Sequence, residues 1–111
     1  MPTLPNAPSA ILNLRKLEEY CLNPLHPRGR HKARVFREAP GIGRSHAGWL
    51  RREILTVLTE AEAAELDLDN YGRRWRMDVT VTRQSRRAVV RTLWLMRPGE
   101  NVPRLVTCWV L

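Results

Sequence analysis

Two histidines and a lysine fall within seven residues of this chain, at a spacing that could support proton transfer beside an anion. His26 and His31 are able to exchange a proton near neutral pH, and Lys32 supplies a positive charge next to them. Pro27 and Gly29 restrict the backbone of the segment to a few turn conformations. The segment is therefore predicted to be a rigid cationic turn, which suits an anionic ligand.

The charge of the whole chain points to a polyanion as the partner. Lysine and arginine number 19 against 11 acidic residues, which gives a net charge of +8, and 17 of the 19 cations are arginines. Arginine binds phosphate in a two-pronged geometry, and a strongly basic surface attracts nucleic acid. A GC-rich genome also raises arginine content, so composition by itself leaves a purely structural explanation open. We expect RNA or another polyanion as the partner.

Composition argues against a membrane protein and against export. Hydrophobic residues make up 43% of the 111 positions, and no apolar run approaches the roughly 18 residues that span a bilayer. The first residues lack a secretory signal. Cys21 and Cys108 are predicted to be buried free thiols rather than a disulfide. We therefore expect a globular protein of the cytoplasm, without a membrane partner.

Motifs of the common enzyme classes are missing from the sequence. There is no phosphate-binding glycine loop, dinucleotide-binding glycine pattern, zincin motif or serine-hydrolase elbow. A metal site made of Cys21, His26 and His31 would lack a fourth ligand and a usual spacing. We expect neither a metal nor a cofactor.

The N-terminal half has the apolar spacing of helices. Residues 1–8 carry three prolines and few apolar side chains, so they are predicted to be a flexible lead-in. Ser9 is a candidate N-cap for a first helix, and a second helix is predicted over 32–39. Ser45 is placed to cap a third helix. A capping-box spacing then predicts a short acidic helix over 59–66.

The apolar period changes from about 3.6 to 2 in the C-terminal half. Residues 75–82 alternate as in a half-buried strand, 84–86 resembles a hairpin tip, and 88–96 reads as a central strand that is apolar on both faces. A last strand is predicted over 105–111. The chain is therefore predicted to be α+β, with residues 9–111 forming a single domain in which about three N-terminal helices pack on one face of a C-terminal antiparallel β-meander.

Four motifs follow one another along the chain: Y-C-L-N-x-x-H-P-x-G-x-x-K-A-x-x-F from Tyr20, Y-G-x-x-W from Tyr71, R-T-x-W from Arg91 and P-R-L-V-T from Pro103. This ordered series resembles a small bacterial family of uncharacterised domains, whose members occur alone and as C-terminal modules of large secreted toxin-like proteins. The resemblance covers about residues 14–111. The order of helices followed by a meander is also similar to the barnase, EndoU, colicin and RelE group of metal-independent ribonucleases, which is an analogy of fold.

A toxin-like, metal-independent ribonuclease is the first function hypothesis. RNA cleavage without a metal needs a base for the 2′-hydroxyl proton, an acid for the departing 5′ oxygen and positive donors around the phosphorane. The sequence holds a chemically sufficient set if the turn folds onto the sheet, with His26 or His31 transferring protons. The candidate catalytic residues are His26, Lys32, Arg91 and Thr107, and the candidate nucleic-acid-binding residues are Arg28, Arg30, His31, Arg34, Thr92 and Trp94.

The candidate residues also have structural explanations. His26 could brace the turn, and Arg91, in an apolar strand, needs an acidic partner, for which Asp78 or Glu100 would suffice. The tryptophans could fill the core. Two further hypotheses are a non-catalytic nucleic-acid-binding module and a protein-interaction domain. A basic toxin-like protein would also be expected to have an acidic inhibitor protein as its partner.

Overall fold

Three helices precede a four-stranded antiparallel sheet in the computed structural model, which describes residues 2–111. This order confirms the predicted α+β fold. Over the described part of the chain, none of the helices is long and apolar enough to cross a membrane. The helical elements are α1, made of Leu14–Lys16 and the π-helical turn Leu17–Cys21, then α2 (Arg30–Glu38) and α3 (Ala47–Val57), with short 3₁₀ turns at Ala7–Ser9 and Arg44–His46.

The sheet contains β1 (Ala63–Glu65), β2 (Arg73–Arg83), β3 (Arg86–Met96) and β4 (Arg104–Val110). The strands lie in the order of the chain, so β1 and β4 are the two edges, and β3 has a partner on each side, as predicted. The hairpin between β2 and β3 turns at positions 84 and 85, where φ is 49° and 68°. Such left-handed values fit a tight two-residue hairpin turn, so the predicted tip is confirmed.

The helices cover one face of the sheet because alternate strand residues are apolar and buried. Helix α3 contacts β2, and helix α2 contacts the edge strand β4. Residues between the buried positions face the other side of the sheet, where Asp78 and Thr80 are exposed. We call this second side the accessible face of the sheet. The buried positions of β2 are Trp75, Met77, Val79 and Val81.

The segment predicted as a short acidic helix forms strand β1 instead. Ala63 lies opposite Met77 of β2, and Glu65 forms a two-pronged ion pair with Arg73 at 3.0 Å. The capping-box spacing expresses only a local preference, which pairing with the free edge of β2 outweighs. The sheet therefore starts before residue 75, where the first predicted strand begins, and it gains a fourth strand.

Helix α1 begins later than predicted. Its N-cap is Asn13, whose Oδ1 accepts a hydrogen bond from the Arg15 backbone N–H at 2.9 Å, and Ser9 lies in a 3₁₀ turn upstream. The residues between them are extended, because the Ile11 N–H donates to the Pro103 carbonyl at 2.8 Å. This pairing with the start of β4 prevents an earlier helix.

The third helix has a different N-cap from the predicted one, whereas the second helix lies within two residues of its predicted bounds. Ser45 lies inside the 3₁₀ turn before α3 and provides no cap. The His46 Nδ1 atom accepts a hydrogen bond from the Gly43 N–H at 2.9 Å and closes that turn. Helix α2 begins two residues before its predicted start and ends one residue before its predicted end.

The predicted lead-in packs against the domain over the residues that the structure describes. Leu4 and Ala7 are buried in the core. The carbonyl of Pro2 accepts a hydrogen bond from the Ala63 N–H at 3.0 Å, at the β1 edge of the sheet. Ile11, which follows the lead-in, pairs at the β4 edge, so residues 2–11 together reach both edges of the sheet. Met1, the first residue of the predicted lead-in, lies outside the described residues.

Candidate functional site

The turn before α2 is held by the side chain of His26. Its Nδ1 atom accepts hydrogen bonds from the backbone N–H groups of Arg28 at 3.0 Å and Gly29 at 2.9 Å. Two donors at Nδ1 place the ring proton of the neutral imidazole on Nε2. In this arrangement His26 braces the turn through Nδ1, which is the structural explanation that the sequence also allowed.

A close contact joins this turn to the end of α1. The rings of Tyr20 and His26 stack with centroids 4.8 Å apart and planes 15° from parallel. Gly29 permits the approach, because a Cβ atom at that position would lie 2.2 Å from the Tyr20 carbonyl oxygen and 2.6 Å from its Cδ1 atom. The φ of Gly29 is −90°, which any residue can adopt. Glycine is therefore needed here for the space that Tyr20 occupies.

Lys32 connects three elements of the fold at one ammonium group. From α2 its Nζ atom donates to Tyr20 Oη at the end of α1 and to Thr107 Oγ1 on β4, both at 3.1 Å. The same atom lies 4.9 Å from the centre of the Tyr20 ring and 5.4 Å from that of Trp109. Both distances are within the range of cation–π attraction. The predicted residues His26, Lys32 and Thr107 are thus brought together, with Tyr20 between the first two. We call Tyr20, His26, Lys32 and Thr107 the lysine cluster.

Two buried cysteines lie beneath the lysine cluster. Both thiols are free and fully enclosed, in agreement with the sequence prediction. A hydrogen bond from Cys108 lowers the pKa of Cys21 to about 6, against the opposing effect of burial, and Thr107 and the charge of Lys32 act in the same direction. The pKa of Cys108 is raised by its contact with Cys21 and by burial. Because neither sulfur reaches the surface, the cysteines can position the cluster but cannot contact a substrate.

The outward side of α2 carries cations without carboxylate partners. Between Pro24 and Arg37 the sequence has five cations and no acid. Within residues 2–111, every ion pair involves arginines outside this segment. Helical spacing aligns the arginines at positions 30, 34 and 37 along a shallow cleft of about 380 Å³. His31 and one carboxylate, that of Glu38, also line this cleft. We call the exposed residues Arg28, Arg30, His31, Arg34 and Arg37 the α2 basic face.

Arg91 lies apart from the lysine cluster, on the accessible face of the sheet. Its guanidinium makes a two-pronged ion pair with Asp78 of β2, at 2.9 and 3.0 Å. The hydrogen bonds from Arg91 lower the pKa of Asp78, and the same hydrogen bonds to Asp78 raise the pKa of Arg91. The pairing is one of the two structural alternatives that the sequence allowed. Arg91 is the cross-strand neighbour of Trp109, so the indole separates it from Lys32.

Thr92 and Trp94 lie in the core and not on a binding surface. Both are 0% exposed. The Trp94 indole N–H donates to Thr92 Oγ1 at 2.8 Å, and that hydroxyl donates to the Met77 carbonyl at 2.6 Å. These bonds satisfy the polar atoms inside the core. The sequence prediction that these two residues bind nucleic acid is therefore corrected, because both side chains point from β3 into the core.

Two residues of the site were not among the sequence candidates for it. Tyr20 receives the Lys32 hydrogen bond, and Trp109 forms a wall beside Lys32. Trp109 could have been found from the sequence, because it is two residues from Thr107 and shares its side of β4. Tyr20 could not, since its role depends on how the turn folds back onto α1.

Among residues 2–111, no three His, Cys, Asp or Glu side chains lie close enough together to hold a metal ion. Comparison with curated proteins and with solved structures finds no match to this chain. A family model described as a domain of unknown function, DUF6883, matches residues 3–111, and the chain therefore belongs to the DUF6883 family.

Proposed function

We propose that this chain is a toxin-like, metal-independent endoribonuclease that binds RNA on the α2 basic face and cleaves it beside Lys32. The observation that carries the proposal is the ammonium of Lys32, held by hydroxyls of Tyr20 and Thr107 at the border of a cationic surface. A phosphate drawn to that surface would meet a positioned cation and two hydroxyl groups. Positioned donors of this kind stabilise the charge of a phosphorane.

The proposed reaction is attack by the 2′-hydroxyl of RNA on the adjacent phosphate. The bond from the 2′ oxygen to phosphorus forms, and the bond from phosphorus to the 5′ oxygen breaks, which yields a 2′,3′-cyclic phosphate and a 5′-hydroxyl. His31 accepts the 2′ proton, because its exposed imidazole lines both the arginine cleft and the pocket beside Lys32. Tyr20 gives its hydroxyl proton to the departing oxygen, and Lys32 stabilises the phenolate that results.

This assignment redistributes the roles that the sequence suggested. His26, expected to transfer protons, contributes the rigid turn and an N–H donor, because its Nδ1 is occupied by backbone hydrogen bonds. Arg91 has a structural role in this proposal, because its ion pair with Asp78 joins β2 and β3 on the accessible face of the sheet. Thr107 accepts a hydrogen bond from Lys32, and in the proposed site its hydroxyl proton is donated to the phosphate.

A non-catalytic RNA-binding module is the second candidate function. Two of the four residues first assigned to catalysis, His26 and Arg91, already have structural partners. The α2 basic face does not depend on them and would bind RNA in either case. Both functions would operate in the cytoplasm, and both leave the basic surface open to an acidic inhibitor protein.

Cleavage in the presence of a chelator separates the two candidates. We expect purified protein with excess chelator to cut RNA and to leave cyclic phosphate ends, and we expect His31→Gln to lower the rate about 10²-fold. The matched control is His46→Gln, since His46 is engaged in closing a turn through Nδ1. Binding without any cleavage would favour the non-catalytic module, and an unchanged rate for His31→Gln would remove His31 from the mechanism.

The salt dependence of binding tests the α2 basic face itself. Each phosphate contact on a single strand contributes about −0.7 to the slope of log affinity against log salt. The double variant Arg30→Gln/Arg34→Gln should therefore bind RNA more weakly and with a slope about 1.4 units shallower. The matched double variant is Arg73→Gln/Arg97→Gln, which removes the same charge from arginines that face carboxylates. Equal losses in both double variants would mean that net charge alone attracts the RNA.

A further inference from the structure

A shallow pocket between α2 and β4 lies next to the α2 basic face. Its walls are His31, Lys32, Val35 and Trp109, and its volume is about 360 Å³. Val35 and the half-buried indole of Trp109 make the lining apolar, whereas three arginines and a single carboxylate line the adjacent cleft. An apolar pocket that opens directly onto a cationic cleft suits a ligand with a flat apolar part and an anionic part.

We infer that this pocket is a base-stacking subsite in which Trp109 holds one unpaired nucleobase of a single-stranded RNA. The inference rests on the proposed function and adds its substrate class. Tryptophan offers the largest aromatic surface for stacking, and such stacking is tolerant of base identity. His31 lines both the pocket and the cleft, so a base on Trp109 and a phosphate on Arg30 or Arg34 belong to neighbouring positions of one strand.

The position of Lys32 fits the same arrangement. Its ammonium is 5.4 Å from the centre of the Trp109 ring and also bonds to the hydroxyls of Tyr20 and Thr107. A base bound in the pocket would thereby place the sugar and phosphate attached to it near that ammonium. In a duplex the bases are paired and stacked inside the helix, where Trp109 cannot reach their faces. The subsite therefore selects single-stranded RNA over duplex RNA.

The test measures binding with three probes of equal length: a 2′-O-methyl RNA strand, the same strand with abasic positions, and its duplex. The methyl group blocks cleavage during the measurement. We expect the wild-type protein to bind the base-containing strand roughly 10- to 100-fold more tightly than the abasic strand. Trp109→Leu should remove that preference, while binding to the abasic strand and its salt slope stay unchanged.

Trp49→Leu is the matched control variant. Trp49 is also half-buried, and the guanidinium of Arg83 lies 5.4 Å from the centre of its ring, the same distance as between Lys32 and Trp109. Its loss should leave the preference for bases intact.

The outcomes separate this inference from the proposed function. If none of the probes binds, the proposed function itself fails. If the strand with bases and the abasic strand bind wild-type protein equally, or if the duplex binds as tightly as the single strand, RNA binding stands and the subsite does not. These comparisons use wild-type protein, so they can contradict the subsite even if Trp109→Leu is unstable.

Discussion

Replacing Lys32 with methionine is expected to lower the rate of RNA cleavage by roughly 10³-fold while the protein stays folded. Removing one positioned donor from a charge-stabilising site commonly costs 10²- to 10³-fold in rate, and Lys32 also holds Tyr20 and Thr107 in place. Methionine keeps most of the length of the side chain and its packing. The rate should be measured with enzyme in excess over RNA, together with the thermal midpoint of unfolding.

The chain offers a close control for this change. Lys16 is the other lysine of the sequence, and its ammonium lies 5.9 Å from the centre of the Tyr20 ring. Lys16→Met removes the same charge beside the same ring without breaking a hydrogen bond of the lysine cluster. We expect its rate to fall only a few-fold. A similar loss in both variants would show that the site acts through charge in general, and full activity of Lys32→Met would contradict the proposed mechanism.

Replacing Gly29 with alanine is expected to be the most destabilising small change near the site. The added methyl group would overlap the carbonyl oxygen and the ring of Tyr20, and the carbonyl is backbone that cannot rotate away. Overpacking of this kind typically costs about 1–3 kcal/mol. For a domain of this size the thermal midpoint should fall by roughly 5–20 °C. Because Tyr20 must move, cleavage should fall further than the folded fraction explains.

Gly43→Ala gives the comparison for backbone effects. A Cβ atom at position 43 would come no closer than 3.9 Å to another residue, and the backbone there is extended, with φ of −105°. Its thermal midpoint should stay the same or rise slightly, because alanine restricts the unfolded chain. A midpoint for Gly29→Ala equal to that of Gly43→Ala would mean that α1 and the turn can separate without cost.

The fold was largely predictable because the apolar period is strong where long elements form. The alternation in β2 and the turn residues at the hairpin tip specify a strand and its return. The two failures that change an element's type or extent are at short segments whose conformation is decided by partners elsewhere in the chain. Ala63–Glu65 becomes a strand because β2 offers a free edge, and Ile11 is extended because Pro103 and Leu105 pair with it.

The candidate site was predictable in composition but not in arrangement. A rigid cationic turn followed by a helix could be inferred from prolines, histidines and arginines, and it is present. Which nitrogen of His26 is occupied depends on the backbone of Arg28 and Gly29 within the folded turn. The inward direction of Thr92 and Trp94 depends on the register of β3 between its two neighbours. Neither property is encoded in residue type alone.

The N-terminal segment from Thr3 to Ile11, which pairs at both edges of the sheet, also affects how readily the molecule aggregates. Unpaired strand edges are templates on which a second chain can add by backbone hydrogen bonding, which leads to aggregation. Thr3 pairs beside β1 and Ile11 pairs with the start of β4, so a single stretch of about ten residues obstructs strand addition at both edges. Partners of this domain are thereby directed away from the strand edges and toward its side chains.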